Sequence, residues 1–155
     1  MLIHLVWDTS GSMEEWGKLL IARGVARAIE QYLRLGYGSA DLKLVAWCND
    51  ARIFDWHSDQ EFPPELLVPG AAANAKALVT FFGTEPSGKI LLLTDGFWSH
   101  ADAKQLRCWK QGLPANTLRV IKVGTDANPR LKGADVFSVE DLFAALDGWL
   151  ERGAI

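Results

Sequence analysis

Ile90-Leu91-Leu92-Leu93 is the stretch that most restricts what this chain can fold into. Four consecutive apolar residues between turn signals read as a strand buried on both faces. Such a strand belongs in a parallel sheet with helices packed above and below it. The run closes on Thr94-Asp95-Gly96, so an acid stands at the strand's carboxyl end. The N-terminus repeats the arrangement: an apolar run from Leu2 to Trp7 ends in Asp8, Thr9 and Ser10, and a helical pattern follows. Open α/β sheets bind ligands beyond the carboxyl ends of their strands, and these two ends are the first places to look for function.

The intervening segments fit the same plan. From about Glu14 to Leu35, the residues Trp16, Leu19, Leu20, Val25, Ile29, Tyr32 and Leu33 form an apolar helical stripe, with Lys18, Arg23, Arg27, Glu30 and Arg34 on the other face. Gly36 and Gly38 stop this helix. Asp41 to Cys48 alternates like a strand, Asn49-Asp50 is a turn signal, and Ala51 to Trp56 reads as the returning strand of a hairpin. That hairpin puts one antiparallel strand at a sheet edge. The segment from His57 to Gly70, with Pro63, Pro64 and Pro69, reads as a surface connection with at most a short helical turn.

A helix is expected over Ala71 to Phe82, with Ala77, Leu78, Phe81 and Phe82 inward. Ser99 and Asp102 have capping-box-like spacing for another helix ending near Gln111. Leu118 to Val123 and the short Asp135 to Phe137 read as strands. Ser138 then starts a last helix with Leu142, Phe143, Leu146, Trp149 and Leu150 on its apolar face. Strands alternate with helices apart from the hairpin, which gives an α/β domain over 1–155 with a mainly parallel sheet and helices on both faces.

Composition narrows the function. The net charge of −3 argues against neutralising nucleic-acid phosphates. No apolar stretch approaches the roughly 20 residues that span a bilayer, and the N-terminal run is too short for a signal peptide. Neither nucleic acid nor membrane is therefore expected as a partner. Cys48 and Cys108 have no metal-ligand spacing and read as reduced, mostly buried thiols, which together with the other features suggests a cytoplasmic protein.

Asp8, Ser10 and Ser12 are two residues apart, so in an extended loop their oxygens face one side, and Gly11 allows a tight turn between them. Three such oxygens suit a hard cation such as Mg²⁺. They equally suit a helix N-cap. If the strands ending in Asp8 and Asp95 are neighbours, all four residues surround one crevice. Trp98 then lies on the crevice rim, as a partner anchor or packed against a helix, and His100 reads as a solvated helix-start residue.

Asp8-Thr9-Ser10-Gly11-Ser12-Met13 after a first strand, the hairpin after the first helix, Leu93-Thr94-Asp95-Gly96, and the short strand before the terminal helix together resemble the von Willebrand factor type A (vWA) domain across the whole chain. The resemblance implies a three-layer, Rossmann-like fold with a six-stranded sheet and one antiparallel edge strand. It also implies a metal-ion-dependent adhesion site (MIDAS) in which Asp8, Ser10, Ser12 and Asp95 hold Mg²⁺, or Mn²⁺ or Ca²⁺, and a protein partner donates an Asp or Glu carboxylate to the ion.

One family ligand, a threonine in a Gly-Gly-Thr sequence, falls on Ala72 of Gly70-Ala71-Ala72, and no Ser or Thr stands between Ser58 and Thr80. Asn74 offers an amide oxygen in that loop and joins Trp98 as a partner-binding candidate. Ala72 leaves two forms open: a weak metal site, or a metal-free scaffold with a degenerate MIDAS. By family analogy the domain is an intracellular adaptor in a multiprotein complex, including those built on AAA+ ATPases. Catalysis is not expected. A haloacid-dehalogenase-like phosphatase would use Asp8 as nucleophile but would want an acid where Ser10 stands.

Overall fold

Both apolar runs form strands at the centre of the sheet. The computed structural model describes residues 1–37 and 40–150; Gly38 and the last five positions of the expected domain lie outside these. The strands are β1 (Leu2–Asp8), β2 (Asp41–Trp47), β3 (Ala51–Phe54), β4 (Lys89–Thr94), β5 (Leu118–Lys122) and β6 (Val136–Ser138). The helices are α1 (Lys18–Gly36), α2 (Ala75–Phe82), α3 (His100–Gly112) and α4 (Leu142–Asp147). The sheet order is β3-β2-β1-β4-β5-β6, with β3 antiparallel and the other pairings parallel. Strand order reverses between β1 and β4, which are direct neighbours, and this reversal opens a crevice at their carboxyl ends.

Successive residues of the central strands feed opposite layers. Ile3, Leu5, Trp7, Leu44, Ala46, Leu91, Leu93 and Ile121 pack with the apolar faces of α1 and α4. Val6, Val45, Trp47, Ile90, Leu92 and Val120 pack with α2 and α3. Trp109 and Trp149 are buried, as their helical spacing predicts. No helix among the described residues is long and apolar enough to cross a membrane.

The largest departure from the sequence pattern is at the start of the first helix. Gly11–Gly17 forms a 3₁₀ turn that breaks at Glu15 (φ −68°, ψ 141°), and Trp16 (φ 56°, ψ 27°) and Gly17 (φ 67°, ψ 24°) are both left-handed. The α-helix begins only at Lys18. Its buried residues are Lys18, Leu19, Ala22, Val25, Ala26, Ile29, Glu30 and Leu33, so Lys18 and Glu30 are not on the solvent face that their charge suggests. Trp16 is therefore 82% exposed and Leu20 is 65% exposed, while Lys18 is wholly buried. Phe81 and Phe143 also face outward. Cys48 is half-buried and Cys108 is exposed, because Cys108 lies on the outer side of α3 between the buried Leu106 and Trp109.

The ends of the other helices shift modestly. α2 starts at Ala75 because the Asn74 side chain accepts a hydrogen bond from the Lys76 N–H and caps it there. Ser138 makes no cap bond; its hydroxyl donates to Asp141, and a 3₁₀ turn (Val139–Asp141) precedes α4. The connection from β5 to β6 carries no helix.

His4 lies within β1, with its ring 5.1 Å from Phe82 and its Nδ1 unpartnered among the described residues. Burial, helped by the Lys43 charge, lowers its pKa below the usual 6.5. The unfolded chain therefore takes up the proton first as pH falls, so stability declines from about pH 6.5 downward. Urea midpoints measured between neutral and mildly acid pH should fall in the wild type, and His4→Phe should flatten that part of the slope.

Candidate functional site

The carboxyl ends of β1 and β4 supply the site, as the two acid-terminated runs indicate. Asp8, Ser10, Ser12 and Asp95 converge there with Thr94 of the second motif and with three residues outside both motifs: Lys18, Phe97 and Asp126. Asp8 is fully buried. Its Oδ1 accepts a hydrogen bond from the Ser10 N–H at 2.9 Å. Its Oδ2 accepts from the Thr94 hydroxyl at 2.6 Å and from the Trp98 indole N–H at 3.2 Å. Burial pushes the Asp8 carboxyl above its ordinary pKa, against the opposing pull of its bonds to Ser10 and Thr94, and the Asp95 charge adds to the rise. The Ser10 and Ser12 hydroxyl oxygens lie 3.5 Å apart.

Asp95 is also fully buried. Its Oδ1 accepts from the Phe97 N–H at 3.1 Å. Its Oδ2 meets the Lys18 ammonium at 3.0 Å. The same ammonium reaches Asp126 Oδ2 at 3.0 Å and the Ser12 carbonyl at 3.4 Å, and the Phe97 ring lies 5.3 Å away. Burial pulls the lysine pKa down, but the hydrogen bonds and charges of Asp95 and Asp126 outweigh it and leave the pKa above the usual value. Lys18 is therefore protonated at neutral pH. Its placement follows from α1: it stands four residues before Ala22 and seven before Val25, on the buried stripe.

The loop before α2 closes one side of the site. The Gly70 N–H donates to the Thr9 carbonyl at 2.6 Å, and a Cβ at Gly70 would stand 2.8 Å from Cys48 Sγ, so only glycine fits there without a shift. Ala72 is exposed. The Asn74 amide is committed locally: Oδ1 accepts from Lys76 N–H at 3.1 Å, and Nδ2 donates to the Asn49 carbonyl at 3.3 Å. Trp98 is half-buried, with its ring 6.0 Å from Trp47 and its N–H on Asp8, so it braces the acid as well as lining the rim. His100 is exposed at the first position of α3.

No family model matches the sequence, and no curated protein matches it. Solved structures do. Manganese-loaded TRAP protein from Plasmodium vivax superposes with a TM-score of 0.64 at 13% identity, over 99% of this chain and 74% of that one. BatB from Bacteroides thetaiotaomicron gives 0.54 at 15% identity, over 79% of this chain and 66% of that one. Proximal thread matrix protein 1 from the mussel byssus, with a zinc-occupied MIDAS motif, gives 0.52 at 17% identity, over 93% of this chain and 44% of its own. The fold is that of a vWA-like domain. The chain spans less than half the length of the mussel protein.

Within this vWA-like fold the donor set differs from that of a metal-dependent adhesion site in the missing hydroxyl at Ala72 and in the ammonium on Asp95. Both Asp8 oxygens and both Asp95 oxygens already accept hydrogen bonds, and Ala72 offers no hydroxyl. A positive ammonium stands 3.0 Å from Asp95 Oδ2 and would repel a divalent ion placed beside it.

Trp98→Phe keeps a ring beside Trp47 and removes the N–H bond to Asp8. It should lower stability by about 1.5 kcal/mol, the lower end for a hydrogen bond to a charged group because the 3.2 Å contact is long. Chemical denaturation should show that loss with the fold unchanged by circular dichroism.

Proposed function

We propose that the chain is a protein-interaction module of the vWA type, working as an adaptor through the rim formed by the carboxyl ends of β1 and β4. Trp16 is the observation that carries this reading. It stands two residues before Lys18 in the chain, 82% exposed and in a left-handed backbone conformation that costs a bulky residue energy. The strained turn sets the helix start that buries Lys18, and it leaves the Trp16 ring facing outward, where it can anchor a partner. Phe97, 44% exposed with its ring 5.3 Å from the Lys18 ammonium, is a second exposed aromatic, in the loop after β4. Exposed aromatic side chains are the usual anchors of protein contacts.

A contact centred on a bound metal and a partner's carboxylate is less well supported than this aromatic one, because the cation already present at the site is enclosed between Asp95 and Asp126. The metal-free form of the vWA reading is therefore preferred. A non-catalytic role is supported by Asp8, the nucleophile a phosphatase would need, which is wholly buried with both oxygens hydrogen-bonded. The AAA+ assemblies associated with intracellular vWA domains remain a candidate class of partner.

Affinity capture from extract of the source cells tests the reading. Trp16→Ser and Phe97→Ser should each reduce capture of the specific partner several-fold while the fold is retained by circular dichroism. Phe143→Ser alters an equally exposed ring packed near Tyr32, towards the other end of α1, and should leave capture unchanged. Equal capture by all three variants would move the interface off this rim.

A further inference from the structure

We propose that Lys18 is the built-in cation of this site, occupying covalently the role that a divalent ion plays in a metal-dependent adhesion site. The ammonium touches three loops at once: the Ser12 carbonyl after β1, Asp95 after β4 and Asp126 after β5. A lysine has three N–H donors, and each has an oxygen at 3.0–3.4 Å. Its side chain is 0% exposed. An ion that used the Asp95 carboxylate would lie beside this ammonium and meet its positive charge.

The surroundings are shaped for the lysine. Gly124 has φ +96°, and a Cβ there would stand 3.0 Å from Lys18 Cε and 3.3 Å from Cγ, so the missing side chain makes room for the lysine stem. The left-handed pair Trp16 and Gly17 starts the helix at the one position that turns Lys18 inward. Asp126 adds a second carboxylate, so the ammonium is held between two acids. Removing the ammonium would leave Asp95, Asp126 and the Ser12 carbonyl facing an emptied space, all of them hard oxygen donors of the kind that bind Mg²⁺, Mn²⁺ or Ca²⁺.

This inference does not depend on which partner the rim engages, and its test uses the purified protein alone. Mn²⁺ binding is followed by water-proton relaxation and by melting with and without EDTA. The wild type should show no saturable Mn²⁺ binding at millimolar metal and the same melting temperature in both conditions. Lys18→Ala should melt lower, bind Mn²⁺ saturably and recover part of its melting temperature when metal is added. Adding Asp95→Asn to Lys18→Ala should abolish that recovery. Lys18→Met keeps a stem in the space and should be destabilised without gaining metal.

Saturable Mn²⁺ binding by the wild type would overturn the proposal, as would a folded Lys18→Ala protein that gains none. If Lys18→Ala does not fold, the native wild type decides. Treated with an amine-acylating reagent, it should leave Lys18 unmodified whether or not Mn²⁺ is present. Acylation of Lys18 on adding Mn²⁺ would show that metal displaces the ammonium and that the site is a metal site after all.

Discussion

The Lys18 ammonium, 3.0 Å from a carboxylate oxygen on each of two loops, sets the arrangement of everything around it. Asp95 is fully buried at the end of a strand that is itself buried on both faces, and a charge in that position is costly unless paired. Lys18 supplies the pairing. Removing one member of such a buried pair costs roughly 3–5 kcal/mol, because the other is left uncompensated. To reach Asp95 the lysine must sit on the inner stripe of α1, so the helix must begin at position 18, and the chain must turn left-handed through Trp16 and Gly17 to begin it there. The exposed Trp16 ring and the buried ammonium are thus two results of one backbone path.

Asp8 has a separate anchorage. It takes its hydrogen bonds from Ser10, Thr94 and Trp98, which stitch the end of β1 to the end of β4 without using Lys18. The motif acid therefore acts as a structural hub, and the acid that meets a cation is Asp95. The two serines lie between these systems and contribute a carbonyl, from Ser12, to the lysine.

Most of the fold was legible in the sequence because burial on both faces leaves an unmistakable mark. Ile90–Leu93 and Leu2–Trp7 required a parallel sheet, and Asn49-Asp50 required the edge hairpin; both are present. The convergence of Asp8, Ser10, Ser12 and Asp95 was legible as well, since it needs only that the two strands be neighbours. Lys18 was misread because a charged residue was assigned to the solvent face by its type. Its spacing to Ala22 and Val25 placed it inward, and only the fold supplies the two acids that make that tolerable. Asp126 was beyond reach, lying in a polar connection whose position depends on the fold around it. Trp16 was assigned to the core by hydrophobicity, because nothing before Gly17 announces two left-handed residues in succession.

A cation that belongs to the polypeptide has a stoichiometry of one per chain, set when the chain is made. It cannot be lost to a chelator or gained when ion levels rise. Because its folded pKa stands above the usual 10.5, the attraction it provides is fully present below that value and fades only as the solution becomes strongly alkaline. A surface arranged around such a group would have no resting state waiting for an ion.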